Sequence, residues 1–143
     1  MKHISISVLE SFSEYPGLRH CSISDESGEL FYHNVLNDAF ANAINDGYGL
    51  EVILDNTAGY APSFLDEAFG NLVYDFGMDL VSKHLKIIST DEPYWVEMLN
   101  NETFPQWEER RSTGNDPKIT ASHEPWIRFI KGKMVKQNWV EPS

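Results

Sequence analysis

The chain has 143 residues, 41% of them hydrophobic, and sets 22 acidic against 11 basic residues for a net charge of −11. That length suits one ordinary domain with a sizeable core, and the apolar content excludes wholesale disorder. The negative charge argues against a general grip on nucleic acid.

No apolar run approaches the roughly 20 residues needed to cross a bilayer. The N-terminal "MKHISISVLE" lacks the apolar centre of a signal peptide, so cytoplasm is the expected address. A single cysteine, Cys21, cannot form an internal disulfide. The charge is unevenly spread: residues 1–109 carry 19 acidic and four basic residues, residues 110–143 three acidic and seven basic. This divides the chain into an acidic α/β body, 1–109, and a basic linker with a C-terminal helix, 110–143. The tail then docks on its own body or on a partner.

In chain order, "HISISV" alternates apolar and polar residues with the period of two of a half-buried strand. A Pro-Gly turn follows in "FSEYPGL", then a short strand around "RHCSIS". From Leu30 to Ile44 apolar residues recur at spacings of three and four, which predicts a helix ending before Gly47. "LEVILD", rich in β-branched residues, reads as a central strand covered on both faces.

After a polar loop, "PSFLDEAFGNLVYDFG" repeats Phe64, Leu65, Ala68, Phe69, Leu72, Val73 and Phe76 at helical spacing. Asp66, Glu67, Asn71 and Asp75 fall mostly on the other side, and Gly77 supplies a stop. Gly70 inside this helix costs about 0.5–1 kcal/mol relative to alanine, which implies a close backbone approach, expected against the sheet. "HLKIIS" is a second inner strand. Thr90 or Asp91 then caps a helix with Pro93 in its first turn that frays near Pro105. "RRSTGNDPK" is a polar linker, and residues 124–138 are read as an amphipathic helix with Trp126, Ile127, Ile130 and Met134 on one side. Such a helix offers a route to a homo-oligomer.

Alternating strands and helices predict an α/β fold with a mixed or mainly parallel central sheet and packed helices. In such sheets the functional edge lies at the carboxyl ends of the strands, where the loop Asp55–Ser63 falls. The expected core is Val52, Ile53, Leu54, Leu65, Ala68, Phe69, Leu72, Val73, Ile87 and Ile88. Ser63 reads as a helix N-cap, with Asp66 three residues on completing an approximate capping box.

The stretch "VILDNTAGYAPSFLDEAFG" resembles the STAS superfamily, whose bacterial members include the anti-anti-sigma factors. There an apolar strand ends in Asp-x-Ser or Asp-x-Thr, and a loop leads to a serine that opens a helix, with leucine two positions on. Asp55 and Thr57 match the first element, Ser63 and Leu65 the second. "PSFLDEAFGNLV" is similar to the signature of the STAS-like domains of unknown function. The resemblance implies a STAS-like fold over about residues 1–100. It also implies a non-catalytic, regulatory protein-binding module with Ser63 as candidate phosphoacceptor and a histidine-kinase-like ATPase as partner. The binding surface would comprise Asp55, Asn56, Thr57, Tyr60, Ser63, Asp66 and Glu67. Pro62 and the bulky Phe64 depart from the family's pattern around the serine.

Other chemistries find less footing. "APSFL" lacks both glycines of a nucleophile elbow. The five histidines, His3, His20, His33, His84 and His123, fall at no recognised ligand spacing, so neither a metal nor a cofactor is expected. An enzyme would need Asp55, Thr57 and His84 to converge in a deep pocket. An acidic decoy that fills a basic groove of a nucleic-acid-binding protein is the alternative function, and it needs the acids clustered on one face. Trp107, Trp126, Phe129 and Trp139 in or near the basic tail either pack on the body or stack on single-stranded nucleic acid.

Overall fold

The computed structural model describes residues 1–143. Its sheet has three parallel strands in the order β1 (His3–Ser7), β2 (Gly49–Ile53), β3 (Leu85–Ile88). Parallel pairing demands long crossovers, and both are helical. The first contains α1 (Val8–Ser11), α2 (Gly28–Phe31), a π-helical turn (Tyr32–Leu36) and α3 (Asn37–Asn45). The second contains α4 (Pro62–Phe76) and α5 (Met78–His84). Beyond β3 come α6 (Tyr94–Met98), a π-helical turn (Leu99–Thr103) and α7 (Phe104–Ser112). This mixed α/β arrangement, a parallel sheet with packed helices, is consistent with a STAS-like fold.

Register places Ile6 and Ile87 on either side of Val52. Leu50, Val52 and Leu54 alternate onto one face and are buried. On the other face Ser5 Oγ donates to Glu51 Oε1 at 3.0 Å, and Lys86 Nζ lies 3.8 Å from Glu51 Oε2. Helices therefore cover one face only, contrary to the expectation for β2. Ile53 and Ile88 lie on the open face and Ile87 on an edge strand, so these three are half-buried while the other seven expected core residues are buried.

Three local expectations are corrected. Residues 19–24 form turns instead of a strand, with the Ile23 and Ser24 N–H groups both donating to the His20 carbonyl. The helix beyond Pro93 does not fray at Pro105 but runs on to Ser112. Pro105 is accommodated directly after the π-helical turn Leu99–Thr103, at the start of α7. No side chain caps α6, so neither Thr90 nor Asp91 plays that part.

The C-terminal segment is the largest correction. Residues 124–138 form no helix; β4 (Trp126–Ile130) and β5 (Lys133–Gln137) pair as an antiparallel hairpin. Lys131 and Gly132 connect them with φ of 50° and 79°, the two positive values of the hairpin turn that matches strand twist. The aromatic and β-branched residues of "WIRFI", closed by Lys131-Gly132, are the sequence signal for the hairpin. The helix-borne route to an oligomer thus has no helix to use.

The hairpin is fastened to the body by buried polar groups. The Asn37 side chain accepts from the Ile127 N–H and donates to the Ile127 carbonyl, both at 2.9 Å, completing β4 as a partner strand would. Asn37 Nδ2 also donates to Tyr32 Oη, and Tyr32 Oη donates to Asp75 Oδ2 at 2.6 Å. Arg128 Nε donates to Asp75 Oδ1 at 2.8 Å, and its guanidinium lies between the rings of Tyr74 and Trp139, 5.0 and 4.7 Å from their centroids. Trp126 and Ile119 join the main core, so the basic tail docks on its own domain.

With that tail in place α4 is buried on almost every side. Glu67, Asn71 and Asp75, spaced by four and expected to face water, are 2%, 3% and 1% exposed. Gly70 is where the helix comes closest to a neighbour, though not to the sheet. A Cβ there would lie 2.2 Å from the buried Trp107 indole on α7.

Gly70→Ala gains about 1 kcal/mol of helix propensity yet should destabilise the protein in urea unfolding, because Trp107 has no room to retreat. Arg128→Ala should cost about 3–5 kcal/mol, since it strands the buried Asp75 carboxylate. Burial pushes that carboxyl up to about 6, against the pull of Arg128 and the Tyr32 hydroxyl. Its native form holds a proton more tightly than the unfolded chain, so its contribution to stability falls as pH rises from about 4 to 6 and is level above. Asp75→Asn should remove that slope from a plot of unfolding free energy against pH.

Candidate functional site

The strands β2 and β3 end side by side, and the loops that leave them enclose a cleft. It is lined chiefly by Asp55, Asn56, Thr57, Ser89, Asp91 and Glu92. Asp55 Oδ1 accepts from the Asp91 N–H at 3.0 Å, tying the two loops together. That bond, outweighing the small effect of burial, lowers the Asp55 carboxyl below its ordinary range. Asn56 takes a left-handed conformation, φ 72°, which asparagine tolerates better than most residues. Thr57 Oγ1 accepts from the Gly59 N–H, and the Ala58 N–H donates to the Glu14 carbonyl. Tyr60 reaches back under the loop, donating its hydroxyl to the Leu54 carbonyl at 2.6 Å. Its ring rests against Phe64 and Trp95. The cleft is thus a shaped, acidic edge at the carboxyl ends of parallel strands.

Ser63 stands beside this edge in the first turn of α4. The N-cap position belongs to Ala61, Pro62 fills the first helical position, and no side chain caps the helix. Ser63 is therefore not the N-cap, and its half-exposed hydroxyl is not spent on the backbone. Asp66 and Glu67 serve elsewhere. Arg19 Nη1 bonds Asp66 Oδ2 at 2.7 Å and Glu67 Oε1 at 3.1 Å, Trp107 Nε1 donates to Asp66, and Asn71 Nδ2 donates to Glu67. Burial raises the Glu67 carboxyl, with His20 and Arg19 opposing the shift. Of the seven proposed surface residues, the structure groups Asp55, Asn56, Thr57 and Tyr60 in one loop with Ser63 next to it. Asp66 and Glu67 lie in a separate ion-pair cluster.

His84 is remote from this edge. It precedes β3 at the opposite end of the sheet, on the order of 13 Å of strand away, with Nδ1 3.3 Å from the Tyr48 carbonyl. Asp55, Thr57 and His84 do not converge.

Residues 27–95 match the model of a family described as a STAS-like domain of unknown function. Over those residues the chain is similar to STAS-like domains. The match runs from α2 through α3, β2, the Asp55–Ser63 loop, α4, α5 and β3 into the start of α6, and leaves out β1, α1, α7 and the hairpin. Comparisons with curated proteins and with solved structures gave no match.

The protein holds a second polar centre that the sequence spacing does not suggest. Glu29, in α2, is fully buried. Its Oε1 accepts from the Cys21 N–H at 3.0 Å and from Thr120 Oγ1 at 2.7 Å, and lies 3.2 Å from His20 Nδ1. Its Oε2 accepts from the Thr120 N–H at 2.9 Å and lies 2.7 Å from His123 Nε2. Burial opposes the charge, but the bonds from His123 and Thr120 prevail and hold the carboxyl well below the usual range. The His33 ring stacks on His123 with centroids 4.0 Å apart, and both its nitrogens are buried without a partner. Burial, and then the neighbouring His123, lower His33 to about 3, so it is neutral at physiological pH. Burial also raises the Cys21 thiol. The only sequence clue is that Glu29 and His33 are four apart on one helical run.

Because Ser63 caps nothing, Ser63→Ala should change the unfolding free energy by less than about 0.5 kcal/mol, where loss of a serine N-cap costs about 1. Tyr60→Phe should cost about 1 kcal/mol through the bond to Leu54. Urea unfolding of both variants checks the pair.

Proposed function

We propose that this protein is a non-catalytic regulatory module that binds a protein partner through the Asp55–Ser63 loop and the start of α4, with phosphorylation of Ser63 as its switch. The observation that carries the reading is the placement of Ser63: a half-exposed hydroxyl, free of any capping bond, in the first turn of a 15-residue helix. A phosphate there gains from the helix dipole and adds about two negative charges beside an already acidic cleft. The partner by resemblance is a histidine-kinase-like ATPase, for which the cleft supplies a shaped polar rim and Ser63 the acceptor oxygen. Residues 1–109 act as the binding body, and residues 110–143 as a buttress for it.

The acidic-decoy alternative has less to work with. Glu29, Glu67 and Asp75 are buried, and Asp66 is paired with Arg19, so a share of the negative charge never reaches a partner.

Affinity capture from the host with wild type, Ser63→Ala and Ser63→Asp, followed by intact-mass measurement, tests the proposal. We expect a mass increase of one phosphate on wild type but not on Ser63→Ala, and a partner whose retention differs between Ser63→Ala and Ser63→Asp. Equal retention by all three forms, with no phosphate on Ser63, overturns it.

A further inference from the structure

Three of the five histidines and the only cysteine of the chain gather around one fully buried carboxylate, Glu29. His123 lies 94 positions from Glu29 along the chain, so chain proximity does not account for the gathering. Cys21 Sγ, a Glu29 oxygen and His123 Nε2 all lie within 4.8 Å of one another. We propose that Cys21, Glu29 and His123 bind a divalent transition ion of the zinc class, with the fourth position taken by water or His20.

The donor set chooses the metal. A thiolate, an imidazole and a carboxylate together suit a borderline-soft ion and disfavour magnesium or calcium, which require oxygen. Tetrahedral bonds of about 2.0–2.3 Å place donor atoms roughly 3.5 Å apart. Glu29 and His123, now 2.7 Å apart, need to separate by less than about 1 Å, and Cys21 Sγ needs to swing inward by up to about 1.3 Å. Both are side-chain rotations.

Cys21 Sγ exchanges its 3.4 Å contact with Ser27 Oγ for the ion, and the bonds that orient Glu29 survive the change. On the Oε2 side the ion replaces the His123 contact, while Oε1 keeps the bonds from the Cys21 N–H and Thr120 Oγ1 that orient the carboxylate. Binding releases the thiol proton to solvent and uses His123 in its neutral form with an Nε2 lone pair. The two unpaired nitrogens of His33, on the ring stacked against His123, show that the pocket holds more donor capacity than the protein consumes. The ion would clamp three segments together: the turn at 20–21, the start of α2, and the stretch that leads into β4.

The test is titration of the full chain, freed of metal with a chelator, with cobalt(II) and then zinc(II). We expect one equivalent of cobalt to give a thiolate-to-metal absorption band in the near ultraviolet, zinc to displace it, and zinc to raise the melting temperature. Cys21→Ser should abolish the band and weaken zinc binding at least tenfold, whereas His3→Ala, on the exposed edge strand, should change neither. Should Cys21→Ser fold poorly, the wild type answers alone: saturating zinc should slow alkylation of Cys21 at least tenfold. Absence of the band, a band unchanged in Cys21→Ser, or alkylation indifferent to zinc overturns the site.

Discussion

The fold depends on the desolvation of a single polar stripe. Helix α4 is packed among α2, α5, α7 and β4, so Glu67, Asn71 and Asp75 have lost their water. An unpaired buried carboxylate is too costly to keep. Each acid is therefore answered by an arginine from a distant part of the chain: Arg19 for Glu67, and Arg128 for Asp75. Those two pairs decide where the 19–29 segment and the C-terminal hairpin must lie. The hydrophobic effect supplies the driving force for collapse, but it is non-directional. The ion pairs and the Asn37 bonds to Ile127 fix the register of what collapses.

That division of labour bears on function. The buried side of α4 holds the body together, leaving its N-terminal turn and the loop before it free to present Asp55, Thr57 and Ser63. Tyr60 and Asp55 stiffen this loop from within, through the Leu54 carbonyl and the Asp91 N–H. A rigid loop over a packed helix loses little entropy when a partner engages it, which favours a recognition surface. The Glu29 centre has a different character. It lies where the N-terminal turn, α2 and the C-terminal stretch meet, so anything that binds there acts on how firmly the tail is held.

The open face of the sheet also has a physical account. Parallel sheets are usually covered on both sides, yet here Ser5, Glu51 and Lys86 form a bonded polar row across three strands. Their mutual pairing substitutes for a second helical layer and keeps the short sheet soluble.

Much of the architecture was legible in the sequence because it is local. Period-two alternation marked β1, a β-branched run marked β2, and helical spacing marked α4 with its stop at Gly77, φ 85°. The order of strands and helices placed the Asp55–Ser63 loop at the carboxyl edge of the sheet. What stayed hidden depends on which segments meet. Trp126, Ile127, Ile130 and Met134 fit a helical face, but Asn37 holds Ile127 as a strand. Asp75 looked solvated until Arg128 covered it. Ser63 looked like a cap, although Pro62 had already entered the helix and moved the cap to Ala61. His20, Cys21, Glu29, His33 and His123 share no spacing that a motif would record. Their meeting is a property of the packed chain, because only the docking of the C-terminal stretch brings His123 within 2.7 Å of Glu29.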